Sequence, residues 1–120
     1  MTTDNDLSCT LSIETTEQAA YLSGDISARA EERLLVHLPA NVSLLLAPHH
    51  GSKTSSSMPF VRHVLPRFVF HSAGRSNRYG HPHRHVVRLF VWERSQQVNT
   101  AVNGAIQWCP RRPGRVVTDL

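Results

Sequence analysis

The chain has 120 residues, with 13 Lys and Arg against 9 Asp and Glu, 8 histidines and 2 cysteines. That length suits a single domain, and two cysteines are too few for a disulfide framework. No signal-peptide pattern and no apolar run of about 18 residues is present, so the chain reads as soluble, without a transmembrane segment. Charge is uneven: acids crowd into the first part, and from Lys53 onward only Glu93 and Asp119 are acidic, a balance that suits polyanions such as nucleic acid or is simply a basic surface.

In chain order, Ser8–Ile13 alternates weakly and reads as a strand, Glu14 to Gln18 as a turn, and Ala19–Leu22 as a second strand closing a hairpin. Gly24-Asp25 breaks it. Ser27 caps a helix running to about Leu38, with Ile26, Ala30, Leu34, Leu35 and Leu38 on one face, and Pro39 stops it. Val42–Ala47 is a buried strand. It ends abruptly at His49-His50-Gly51 and a run of hydroxyls, the pattern of a strand that delivers polar side chains to a pocket at its carboxyl end. Ser57 with Pro59 opens a short helix to about Leu65. Phe68–Ser72 is the next strand, Ala73 to Gly80 a loop, and His85 to about Arg94 a helix with Val86, Val87, Phe90 and Val91 along one face. Val98–Thr100 and Ala105–Trp108 form a closing strand pair around an Asn103-Gly104 turn, and residues 110–120 are a basic, poorly ordered tail. Strands alternating with helices make an α/β layer. Cys9 and Cys109, in apolar, strand-like contexts, read as buried thiols.

Several polar residues sit at strand ends. Asp25 can bridge divalent cations through its two oxygens, or it is a helix N-terminal carboxylate favoured by the dipole. His49 and His50 are adjacent; on an extended chain they point to opposite sides, so one of them faces a given site, as a ligand or as a general acid. Ser52, Lys53 and Thr54 can contact phosphate oxygens, although the spaced glycines of a Walker loop are missing; the alternative is a solvated turn. His81, His83 and His85 alternate around Pro82, and His81 is the best-placed ligand among them; His83 and His85 also read as exposed residues ahead of a helix. Asn77, Arg75 and Arg78 suit an anion, while His37, His63 and His71 read as ordinary helix or strand positions.

Four stretches together, Asn5-Asp6-Leu7-Ser8-Cys9, Leu22-Ser23-Gly24-Asp25-Ile26, Pro48-His49-His50-Gly51-Ser52-Lys53-Thr54-Ser55-Ser56 and Ser72-Ala73-Gly74-Arg75-Ser76-Asn77-Arg78-Tyr79-Gly80-His81-Pro82, give a more specific signal. Over residues 5–108 the chain resembles the C-terminal metallo-β-lactamase-fold domain of the ComEC family, the DNA-internalisation competence proteins. The resemblance covers the C-terminal half of that domain. It implies an α/β fold, half of an αββα sandwich with a mixed sheet and helices packed on it, over residues 1–109. It implies two metal ions, zinc or manganese, in the complete domain, with Asp25 and His81 as ligands. His49 and His50 would lie at the scissile phosphate, His50 the favoured one, and Ser52, Lys53, Thr54, Asn77 and Arg78 would hold substrate. DNA, as a single strand, would be the partner, together with the absent N-terminal half and a membrane channel, on the outer side of the inner membrane. The chain departs from the family in lacking the HxHxDH-type cluster before Asp25, so it is expected to be inactive alone. A nucleic-acid- or partner-binding remnant without turnover, and a stand-alone metallo-hydrolase of a small phosphoester, are the alternatives.

Overall fold

A computed structural model describes residues 4–110 and 115–118. Its centre is a five-stranded mixed sheet in the order β1-β2-β3-β4-β5, made of Leu11–Glu14, Ala19–Leu22, Leu44–Leu46, Phe68–His71 and Gln96–Asn99. Strand β1 pairs antiparallel with β2, and β2 to β5 run parallel. Helices α1 (Ala28–Leu34), α2 (Met58–Val64) and α3 (Arg84–Trp92) fill the crossovers between the parallel strands, as parallel pairing requires. The fold is therefore α/β, as the sequence predicts.

The strands alternate between two cores, as the pleat dictates. Tyr21, Leu45 and Val69 face the helices, where Phe60, Val61 and Val64 of α2 and Val86 and Phe90 of α3 close over them. Ala20, Leu44 and Phe68 form a row on the opposite face, joined by Phe70, Trp108 and Val116. Trp108 and Val116 come from a separate two-stranded antiparallel sheet, β6 (Ile106–Cys109) with β7 (Arg115–Thr118).

Three expectations are corrected at this level. The closing pair is not a hairpin: β5 lies parallel to β4, and Thr100–Asn103 is one helical turn, α4. Local hydrogen bonds explain the difference, since Asn99 Oδ1 accepts from the Ala101 amide and Asn103 Oδ1 from the Asn99 amide. The stretch expected to be a disordered tail contributes strand β7, because β6 needs a partner along its edge; residues 111–114, 119 and 120 lie outside the described residues. Cys9 is exposed rather than buried, since the chain ahead of β1 runs over the surface, and Cys109 is half-buried. Helix α1 ends at Leu34 and continues as a short 3₁₀ turn to His37, with the Ser27 cap in place, its Oγ accepting from the Ala30 amide at 3.4 Å.

Candidate functional site

The carboxyl ends of β2, β3 and β4 lie side by side, where open parallel sheets place their sites. Gly24-Asp25 follows β2, the turn Pro48–Gly51 follows β3, and Ser72 with the loop to His83 follows β4. A backbone hydrogen bond of 2.9 Å from the His49 amide to the Gly24 carbonyl ties the first two together. The His83 amide donates to the Gly51 carbonyl at 2.8 Å and ties the third to the second.

The turn after β3 carries the site's most unusual backbone. His49 (φ 51°, ψ 45°) and His50 (φ 59°, ψ 22°) are both left-handed, a conformation that costs a non-glycine residue about 1–3 kcal/mol and clusters at functional sites. Gly51 follows at φ 82°, and a Cβ there would lie 2.6 Å from Cβ of Pro82, so only glycine fits. The consequence corrects the extended-chain expectation: both imidazoles face the same place. The His49 and His50 ring centroids are 6.1 Å apart, and His81 sits 5.7 Å from the first and 6.3 Å from the second.

His50 has a defined polarity. Its Nδ1 is 2.7 Å from the Ser72 carbonyl oxygen, which can only accept, so Nδ1 carries a proton. Its Nε2 then faces Oδ1 of Asp25 at 3.4 Å. A cation between them, a proton being the simplest, would join this nitrogen to the carboxylate oxygen. Both side chains are about half exposed, open to a ligand. His81 is held below the ordinary imidazole pKa, first by loss of hydration, then by the neighbouring His49, His50 and His83, with Asp25 opposing.

The residues expected to hold substrate divide. Lys53, Thr54 and Arg78 are exposed, Arg78 with its guanidinium over the Tyr79 ring and Nη2 donating to the Tyr79 hydroxyl. Ser52 is buried and closes a tight turn with Thr54, the two hydroxyls 2.9 Å apart. Asn77 is turned inward on His81: its Oδ1 accepts from the His81 amide at 2.9 Å and its Nδ2 donates to the His81 carbonyl at 2.7 Å. It fixes the loop that presents His81. An open depression of about 440 Å³ is lined jointly by His50, Ser72, Asn77, Tyr79 and His81.

Some participants were not singled out from sequence. Tyr79 stacks on His81 at 5.5 Å; its place beside a histidine in a polar loop was the available signal. Glu31, buried in α1, accepts from the Ser56 and Ser57 amides at 2.6 and 2.8 Å and so anchors the loop after Gly51. His71, buried beneath Gly51, bonds Gln97 Oε1 through Nε2 at 2.7 Å. Nothing in sequence shows that Glu31 turns inward or that His71 is more than a strand position.

Donor chemistry for a divalent metal is present in Asp25 and the three imidazoles, but no three His, Cys, Asp or Glu side chains among the described residues form a group that could hold an ion. The residues present do not fit a complete metal centre.

No protein-family model matches the chain. It is similar to ComE operon protein 3 of Bacillus subtilis, 33% identical over 105 residues, which is 87% of this chain and 14% of that protein. It is similar also to competence protein ComA of Neisseria gonorrhoeae, 33% identical over 113 residues, 92% of this chain and 16% of that protein. Recombination protein 2 of Haemophilus influenzae is 32% identical over 104 residues, 87% of this chain and 13% of that protein. The chain thus spans 13% to 16% of the length of these relatives.

Proposed function

With this kinship to segments of competence and recombination proteins as its premise, we propose that the chain forms one wall of a phosphoester-processing site in DNA uptake, of the kind carried by the metallo-β-lactamase-fold domain of the ComEC family. The observation that carries the reading is the gathering of Asp25, His49, His50 and His81 at three parallel strand ends, two of them on left-handed backbone. In this reading His50 is the general acid. Its Nδ1 proton is committed to Ser72, so the exchangeable proton is the one on Nε2, beside Asp25; as a water molecule attacks phosphorus and forms the new P–O bond, giving up its own proton to solvent, the old P–O bond breaks and the Nε2 proton passes to the leaving oxygen. Lys53 and Arg78 hold flanking phosphates, and Tyr79 and Asn77 hold His81 in place. Zinc or manganese belongs to the proposal only as an ion for which Asp25 and His81 are two donors, the remainder coming from outside the chain. The partners are single-stranded DNA and the rest of a longer, membrane-channel protein facing outward. No helix among the described residues is long and apolar enough to cross a membrane.

The test replaces the matching segment of competence protein ComA with this chain and scores transformation frequency in the host. The unmodified swap is expected to transform, and His50→Ala to lower the frequency on the order of 10²-fold, the scale of a lost general acid. Equal transformation by His50→Ala, Asp25→Ala and His81→Ala swaps would remove catalysis. That outcome would favour the second reading, a nucleic-acid-binding module without turnover, which the incomplete donor set supports. Turnover of a small phosphoester but not of DNA would favour a stand-alone hydrolase.

A further inference from the structure

Helix α3 presents a face that the site does not use. His85, Arg88 and Trp92 follow one another at helical spacings of three and four, so they share one side of the helix. All three are exposed, Trp92 to 77%. The opposite side of α3 is committed to the core through Val86 and Phe90, so the exposed indole is not there for packing. A groove of about 400 Å³ runs along this face, with Lys53, Ser55 and Ser57 on its other bank. A second, of about 760 Å³, continues past Arg88 and Trp92 to Arg94. Glu93, the acid beside Trp92, is turned to Arg62 on α2 at 3.3 Å and does not offset these cations.

The face joins the histidine cluster without a gap. His83 caps α3, its Nδ1 accepting from the His85 amide, and its own amide is bonded to Gly51 in the histidine turn. From the start of α3 to Trp92 is nine residues, about 12 Å of helix.

We propose that this face of α3, with Lys53 opposite, is a track for single-stranded nucleic acid leading to or from the histidine cluster, Trp92 stacking a base and Lys53, Arg88 and Arg94 following the phosphates. Cations that track a backbone beside an aromatic platform are how single strands are held without sequence preference. Unpaired bases are required, because a duplex offers no free base face to the indole. A dry protein interface is poorer in lysine, and an interfacial membrane helix would need the apolar side that α3 has buried in the core. The inference rests on nucleic acid being the polymer handled at the site.

The experiment titrates the full chain with a 5′-labelled twenty-residue oligothymidylate, reading anisotropy and tryptophan emission over a range of salt. The expected result is binding that weakens with salt and quenches emission. Trp92→Ala should remove the quenching and weaken binding about ten-fold. Arg88→Ala should lower the slope of log affinity against log salt by about 0.7, one phosphate contact on a single strand. Wild-type affinity and salt slope in both variants, with binding lost in Arg78→Ala, would overturn the track while leaving the proposed function standing. No binding by the unmodified chain would overturn both. Trp92-dependent binding to anionic phospholipid vesicles, or Trp92-dependent self-association, without oligonucleotide binding would also overturn the track.

Discussion

At the scale of the residue, the histidine pair decides the site. Two successive left-handed non-glycine residues are stable only because neighbouring contacts hold them, chiefly the His49 amide on Gly24 and the Gly51 carbonyl on His83. Gly51→Ala places a methyl group against Pro82 at positive φ and should destabilise the fold by about 2 kcal/mol in denaturant unfolding. His71, directly beneath, gives a pH prediction. Gln97 Nε2 donates to the Val87 carbonyl, so Gln97 Oε1 must accept from His71 Nε2–H, and buried Nδ1 is left bare. Burial holds the His71 pKa below its ordinary value. As pH falls through about 6.5 the unfolded chain takes up this proton and the folded chain does not, so stability present above that range is lost below it. His81 acts in the same direction, while Glu31, raised by burial, acts in the other as pH approaches its own titration. The melting temperature should therefore drop between pH 7.5 and 5.5, and His71→Gln should make that drop shallower. Sequence could single out Asp25 because it ends an apolar segment, and His81 because it follows Gly80 at the end of a polar loop. It misjudged His49 and His50 because the argument from an extended chain fails once the backbone turns left-handed.

At the scale of the element, the polar loop 51–57 is the part whose order sequence least explains. A run of hydroxyls reads as a solvated turn, yet this one is fastened to α1. Ser55 Oγ donates to the Ile26 carbonyl at 2.6 Å, the Ala28 amide donates to the Thr54 carbonyl at 2.9 Å, and Glu31 takes the next two amides. Helix α1 was legible from its cap and apolar spacing. That one of its acids points inward was not, because a charged residue on a short helix is ordinarily solvated. Glu31→Ala leaves one buried and one half-buried amide without an acceptor, at about 1–3 kcal/mol for the buried one and less for the other, and should destabilise the fold by about 3 kcal/mol. Limited proteolysis should then cut at the Lys53 bond faster than in the unmodified chain; Glu31→Gln, keeping one acceptor, should fall between. The misread closing pair has a related cause. Asn103-Gly104 does form a turn, but as the end of a helical turn, and the parallel pairing of β5 comes from the α3 crossover rather than from any local signal.

At the scale of the whole molecule, the sheet has two different covers. Helices α2 and α3 pack on one face, with α1 against α2, and on the other the β6–β7 pair lies over Ala20, Leu44 and Phe68. The helical layer follows from periodicity, which reports neighbours in sequence. The hairpin could not be read, because its second strand comes from a basic segment with little apolar content and its packing partners lie far away in the chain. Beyond the hairpin, β1 is an exposed edge, with Leu11 and Ile13 about half accessible. The hairpin is thus the main shield of this face, and Trp108 is the larger of the two side chains it packs against the sheet. Trp108→Ala should cost about 2 kcal/mol, the scale of burying one large apolar side chain. The cost should come with greater apolar exposure, since Phe68 and Leu44 lose their cover while the helical core, on the other face, keeps its packing. A dye that fluoresces on apolar surface should therefore brighten with Trp108→Ala under conditions where far-ultraviolet circular dichroism is unchanged. Oligonucleotide affinity should also persist, because Trp92 and the histidine cluster lie on elements that pack against the opposite layer. Loss of dichroism together with the dye signal would mean instead that the two faces fold as one unit.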